Sequence, residues 1–267
     1  MISIVTAYYN RKKLFIKTLE SFEKSSCENF EVIAVDDCSH PDERLEDLTE
    51  RFPFLKVIRL EKKDKWYVNP CVPFNIGFKH ASGDKIIIQN PECFHADDII
   101  SHVNEKLTDN EYFSFGCYSL SEIQTSYLDQ IEDYKSFINT NTYKKKSVSF
   151  DGDEGWYNHS IYRPNAYHFC SAITKKNLEE SGGFDERFAT GFAFDDDEFA
   201  HRIKLKLNVT FFDELVALHM WHYWNDDKST ATNTRNMDNN FWEKWNKNNY
   251  LFNYVTKLEN KYSIKNA

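Results

Sequence analysis

Two stretches decide the fold: Ile2-Ser3-Ile4-Val5-Thr6-Ala7, which runs into Tyr8-Tyr9-Asn10, and Phe30-Glu31-Val32-Ile33-Ala34-Val35, which runs into Asp36-Asp37. Each is largely apolar and stops on polar groups, the pattern of a buried strand. Between them Asn10 opens a helix whose Phe15, Leu19 and Phe22 share one face at i, i+4, i+7 spacing. Further out, Leu55 to Leu60 reads as a third strand, Pro73 to Ala81 as a short helix and Lys85 to Gln89 as a fourth strand. This alternation predicts an α/β fold with a mixed, mostly parallel central sheet flanked by helices on both faces. Ligands of such sheets bind beyond the carboxyl ends of the strands. Tyr8-Tyr9-Asn10, Asp36-Asp37 and Asn90-Pro91-Glu92 stand at those ends and are predicted to converge on one crevice.

Composition narrows the chemistry. The chain has 267 residues and a formal net charge of -9, long enough for one large domain and too acidic for a nucleic-acid-binding surface. No run approaches the ~20 apolar residues of a spanning helix, which leaves peripheral contact as the form of membrane association to expect. The N-terminus enters a strand pattern without a charged leader, and the six cysteines form no C-x-x-C pair. Both point to a cytoplasmic protein with reduced thiols. Only 8 glycines occur and the first is Gly77, so neither an early G-x-G-x-x-G nor a Walker loop exists. The 16% aromatic content suits sugar rings, although an AT-rich coding genome accounts for it equally well.

The second half changes rhythm. Glu122 to Phe137 reads as a helix, and a Lys-rich stretch then leads into a loop from Asp151 to His159. Tyr167 to Ile173 reads as a strand, followed by a helix ending at Gly182-Gly183. Asp195 to Leu205 reads as a helix, and Val209 to Phe212 and Leu215 to Leu218 as short strands. Three constellations carry polar chemistry. Asp195-Asp196-Asp197-Glu198 open a helix, where the dipole favours carboxylates but the four side chains point in different directions. His219 and His222, three apart, can meet one metal ion or can simply pack. Asn90-Pro91-Glu92 offers a carboxylate or is a plain exit from a strand.

In their order along the chain, these segments resemble glycosyltransferase family 2 on the GT-A fold, over roughly residues 2 to 225. Val5-Thr6-Ala7-Tyr8-Tyr9-Asn10-Arg11, the Phe30 to Ser39 segment and Asn75-x-Gly77 with Ala81-Ser82-Gly83-Asp84 carry the first half of the likeness. Gly182-Gly183-Phe184, then Gly191-Phe192-Ala193-Phe194 and the acids, with Arg202 beyond them, resemble the β-1,4-galactosyltransferases and polypeptide sugar transferases. The resemblance implies a single GT-A (Rossmann-like) domain, its nucleotide-binding half about residues 1–120 and its acceptor half about 121–225, with 226–267 a helical extension. It implies a metal-dependent inverting glycosyltransferase that moves a sugar from a nucleoside diphosphate, UDP by family weight, to a hydroxyl of a glycan or other acceptor. Ala7, Tyr9, Asp37 and Asn90 would bind the nucleotide. Glu92, His219 and His222 would hold Mn²⁺ or Mg²⁺, and Asp196 would be the general base. Asp195, Trp156, Phe169, Phe192 and Trp221 would contact the donor or acceptor sugar, with Tyr157, Asn158 and His159 as further candidates. The sequence departs from the usual D-x-D metal motif, because Asn90 replaces its first acid. That departure keeps open a non-catalytic sugar- or nucleotide-binding module; a sugar nucleotidyltransferase is disfavoured by the glycine-free first loop.

Overall fold

The first half forms as its patterning dictates. In the computed structural model, which describes residues 1–139, 145–148, 154–223 and 239–263, strand β1 (Ile2–Tyr8) pairs in parallel with β2 (Phe30–Asp36) along its whole length. β3 (Leu55–Arg59) extends the sheet beyond β2, and β4 (Lys85–Gln89) flanks β1 on its other side, both in parallel. Helix α1 (Lys12–Phe22) buries Phe15, Leu19 and Phe22, the face its spacing predicts. Helix α2 (Cys71–His80) starts two residues before the expected Pro73, which sits in its first turn, where a missing N–H costs nothing.

Among the described residues the second half completes one nine-stranded sheet in the order β3-β2-β1-β4-β8 (Cys170–Thr174)-β6 (Glu111–Ser119)-β9 (Asn208–His219)-β5 (Cys93–His95), with β7 (Gly155–Asn158) pairing to β6. β8 runs antiparallel to β4 and to β6, while β9 is parallel to β6. β5 is antiparallel to β9, and β7 to β6. Alternating strand residues build two apolar layers. Ile4, Phe15, Leu19, Val32 and Phe115 fill one face of the sheet, and Val5, Val35, Phe74, Ile86 and Phe184 the other.

Three local expectations are corrected. The single helix from Glu122 to Phe137 is broken into α4 (Glu122–Ser126), a 3₁₀ turn at Leu128–Gln130 and α5 (Tyr134–Asn139). Ser121 and Gln124 form a capping box on α4, and Asp133 accepts from Ser136 N at 3.0 Å to start α5 afresh, so two start signals replace one long helix. The two short strands at 209–212 and 215–218 are one strand with a bulge, because Phe115 pairs with Phe212 but Gly116 pairs with Val216. The strand expected from Tyr167 starts only at Cys170. The Asn158 side chain takes the place of a ladder partner there, donating to Tyr167 O at 2.8 Å and accepting from Tyr167 N at 3.0 Å.

The remaining helices are α3 (Ile99–Lys106), α6 (Lys175–Ser181), α7 (Asp195–Lys206) and α8 (Asn239–Ser263). α6 ends on Gly182 at φ 81°, a left-handed cap that favours glycine. Arg202 locks the turn that follows, donating to both carboxylate oxygens of Glu198 and to the carbonyls of Ser181 and Gly183. α8 packs on α7 through the loop before it. The Asn248 amide donates to Phe188 O at 3.1 Å and Ala193 O at 2.8 Å. Among the described residues no helix is long and apolar enough to cross a membrane, and all six cysteines are free thiols. Residues 151–153 of the predicted loop, most of the Lys-rich stretch before it and residues 226–238 and 264–267 of the expected extension lie outside the described residues.

Candidate active site

Because β1, β2 and β4 are parallel, their polar ends lie on one edge of the sheet, and the second half wraps over it. A cavity of about 360 Å³ opens there, walled by Arg11, Asn90 and Glu92 from the first half and by Tyr157, Phe169, Asp196, His219 and His222 from the second. Arg163, Tyr167, Ala193, Phe194, Asp197 and, from α8, Trp245 complete its walls.

Glu92 lies at the centre of a cluster of cation-binding character. β9 ends at His219, which pairs with Cys93, and Met220 N donates to Glu92 O at 2.9 Å. This backbone clamp brings both histidines onto the carboxylate: His219 Nε2 is 3.1 Å and His222 Nε2 3.5 Å from Glu92 Oε1. One ligand atom from each of the three residues falls within 4.8 Å of the others. Arg11 Nη1 lies 3.6 Å from Glu92 Oε2 and Arg11 Nη2 lies 3.2 Å from His222 Nδ1. Burial alone would raise the Glu92 pKa, but the Arg11 charge and the two imidazoles outweigh it and hold the carboxyl well below its usual range. Burial and Arg11 also push the His222 pKa down, and so favour the neutral imidazole that can ligate a metal. The buried Glu92 Oε2 and His219 Nδ1 make no hydrogen bond. A buried carboxylate between two imidazoles, with polar atoms left over, fits a divalent cation. Its mixed N and O donors suit Mn²⁺ better than Mg²⁺.

The acids of α7 part company, as four successive helical positions must. Asp196 and Asp197 face the cavity. Asp195 turns away and is buried, its Oδ1 accepting from Asn69 at 2.8 Å. Burial raises Asp195 to about 6 against that hydrogen bond. Burial together with the neighbouring charges of Asp195 and Asp197 drives Asp196 well above the usual carboxylate range, and Arg163 only partly opposes them. Tyr167 donates its hydroxyl to Asp197. The helix is entered through Ala193 at φ 58° and Phe194 at φ 66°, two consecutive non-glycine residues in the left-handed region. Such strain, stored beside a cavity, is characteristic of functional sites.

Ala7, Tyr9 and Asp37 do not line this cavity. They form a neighbouring cluster at the ends of β1 and β2, where Asp37 accepts from Lys65 Nζ and Tyr67 Oη, each at 2.7 Å, and Lys65 Nζ also lies 5.4 Å from the Tyr9 ring. Asn90 lies instead with the cation cluster, its Nδ2 3.5 Å from Glu92 Oε1. Phe169 is in the cavity wall, stacked on Tyr157 at 4.1 Å.

Four of the residues expected to contact a sugar, Asp195 among them, lie outside the lining of this cavity. Trp156 is 6% exposed and packs on Tyr118, since its place in β7 turns it to the core and its neighbour Tyr157 to the cavity. Phe192 stacks on Phe241 of α8, so Ala193 and Phe194 take its place in the wall. Trp221 packs on Tyr223 with its backbone N–H bound to Thr125 Oγ1, outside the cavity lining. His95 is buried with Nε2 2.7 Å from Gln89 Oε1, and Asp98 caps α3. Sequence reasoning assigned no role to Arg11, Arg163, Tyr167, Asp197, Phe194 or Trp245. Nothing local in the sequence marks Arg11 or Trp245, and only the fold brings them to the cavity of Glu92 and Asp196.

The family model described as Glycosyl transferase family 2 matches residues 3–164. An uncharacterized glycosyltransferase of Rickettsia bellii (strain RML369-C) is 29% identical over 132 residues, which are 49% of this chain and 18% of that protein. The crystal structure of S. aureus TarS 1-349 in complex with UDP-GlcNAc is similar with a TM-score of 0.57 at 16% identity, over 86% of this chain and 61% of that one. GalNAc-T7 with UDP, GalNAc and Mn²⁺ gives 0.57 at 14% identity, over 83% of this chain and 44% of that one. The mannosyltransferase PcManGT from Pyrobaculum calidifontis, in complex with GDP-Man and Mn²⁺, gives 0.52 at 16% identity, over 81% of this chain and 56% of that one. At these identities the structural likeness establishes the fold alone. The chain spans less than two thirds of each of these relatives.

Proposed function

Since the chain belongs to glycosyltransferase family 2, we propose that it transfers a sugar from a nucleoside diphosphate to an acceptor hydroxyl, with inversion, using a divalent cation and Asp196 as base. The observation that carries this reading is the meeting, in one cavity, of the Glu92–His219–His222 cluster with a carboxylate of raised pKa. A cation held by those three residues would act as a Lewis acid toward the leaving diphosphate. Asp196 accepts the proton of the acceptor hydroxyl as the hydroxyl oxygen attacks the anomeric carbon, a role worth about 10²–10⁴ in rate. Its raised pKa places it nearer the operating pH, where a general base is most effective. Tyr157, Phe169 and Trp245 offer aromatic faces for a sugar ring, and Tyr9 with Asp37 offers a ring and a carboxylate to the nucleotide base. UDP is the nucleotide we favour, because UDP complexes recur among the similar structures.

The test is incubation with a panel of UDP- and GDP-sugars, Mn²⁺ and glycan acceptors, reading released nucleoside diphosphate and the anomer formed. Release that stops on chelation and a product of inverted configuration are expected. Donor binding without turnover on any donor would instead indicate a binding module.

A further inference from the structure

Arg11 has no part in the chemistry proposed above, yet it is built into the centre of the site. Its backbone is fixed: Asn10, at φ 47°, accepts from His40 N at 2.9 Å and donates its own N–H to Ser39 Oγ at 3.1 Å, and Arg11 N donates to Tyr8 Oη at 3.2 Å. The guanidinium therefore reaches Glu92 from a rigid base. We propose that Arg11 is a resident counter-ion which makes divalent-cation binding conditional on an incoming diphosphate. This rests on the reading that Glu92, His219 and His222 hold the cation.

Charge and hydrogen bonding both support it. Among the described residues Glu92 is the one carboxylate within ion-pair reach of Arg11 and both histidines, and Arg11 already neutralises it across 3.6 Å. A divalent cation added to that pair brings two positive charges that Glu92, already paired with Arg11, does not neutralise in a largely buried cluster, an unfavourable state. A diphosphate supplies the missing negative charge, and a guanidinium is well matched to phosphate oxygens. The His222 ring reports the same competition. Its Nδ1 lies 3.2 Å from Arg11 Nη2 and 2.9 Å from Tyr223 O. Accepting from Arg11 requires a bare Nδ1, whereas donating to the carbonyl requires Nδ1–H. Ligation through Nε2 demands the second arrangement, with the carbonyl orienting the ring. A cation on Nε2 and Arg11 on Nδ1 therefore exclude each other, and Arg11 is released when an anion arrives to receive it.

The experiment is Mn²⁺ binding to the full chain, read by electron paramagnetic resonance of free Mn²⁺ with and without saturating UDP (GDP if UDP does not bind). A protein-free titration at the same nucleotide concentration is the reference. Wild type is expected to bind Mn²⁺ more tightly with nucleotide, by a factor in the range of about 5–150. Arg11→Gln is expected to bind Mn²⁺ more tightly than wild type without nucleotide and to lose most of the nucleotide-dependent gain. Arg11→Lys, which keeps the charge, is expected to retain part of it. Thermal melts confirm that the variants are folded. Weaker nucleotide-free binding in Arg11→Gln, or an unchanged gain, overturns the proposal while leaving the cation cluster intact. No Mn²⁺ binding by any form removes the cluster reading and this proposal together.

Discussion

Two acidic centres share one cavity, and their pKa values are shifted in opposite directions. Glu92 is surrounded by Arg11, His219 and His222 and is held ionised, whereas Asp196 sits among Asp195 and Asp197 and is pushed toward its protonated form. Burial acts on both in the same sense, so the neighbours decide the outcome. The contrast separates two jobs: a carboxylate that must stay charged to hold a cation, and one whose affinity for a proton is raised so that it can take one.

The largest effect that tests this contrast is at the base. Asp196→Asn should lower turnover by about 10²–10⁴ while leaving nucleotide affinity unchanged, measured by product formation and by UDP titration. Near-normal turnover would remove Asp196 from the reaction. At the other centre, Glu92→Gln should raise the Mn²⁺ concentration for half-maximal activity by about tenfold or more, roughly 1.4 kcal/mol of cation affinity. An unshifted metal titration would take Glu92 out of the cation site.

The pH dependence sharpens the comparison. A base of raised pKa is protonated and inactive at low pH, so the logarithm of the rate should climb with pH until Asp196 is ionised. A rate already flat from about pH 5 upward would show an ordinary carboxylate. The smallest effect is on stability. Because folding raises Asp195 to about 6, its contribution is present at low pH and is lost as pH rises through that value. Asp195→Asn should therefore flatten the melting temperature between about pH 4 and pH 7. It should also lower the apparent pKa of the activity profile by removing a neighbouring charge from Asp196. Identical pH profiles of melting for wild type and variant would contradict the shift.

The same contrast explains what could be read from sequence. The strands β1 to β4 are short-range patterns, apolar runs closed by polar groups, and they form at or within a residue of where those runs stop. Residues 93–119 received no element in the sequence reading, yet they contain β5, α3 and β6, a strand near the middle of the sheet order. β6 reads Glu-Tyr-Phe-Ser-Phe-Gly-Cys-Tyr-Ser, and its serines and glycine, buried by neighbours on both sides, carry no alternation to recognise. In the site, Glu92, His219, His222 and Asp196 were reachable through family order. Trp156 and Tyr157 both read as sugar-contact candidates, and which of the two faces the cavity is a matter of strand parity, set by a pairing that is long-range. Arg11 and Trp245 meet the cavity only through tertiary contact.

The Asn248 bracket has a consequence for how the chain can be cut. Its amide spans the loop from Phe188 to Ala193, and a side chain at Gly191 would collide with its Oδ1. Phe194 meanwhile packs on Trp245 and Phe252. A fragment ending at His222, although it keeps every proposed ligand and the base, would strip two backbone carbonyls of their donor and open one wall of the pocket. The smallest transplantable or expressible unit of this site therefore has to run at least through Phe252.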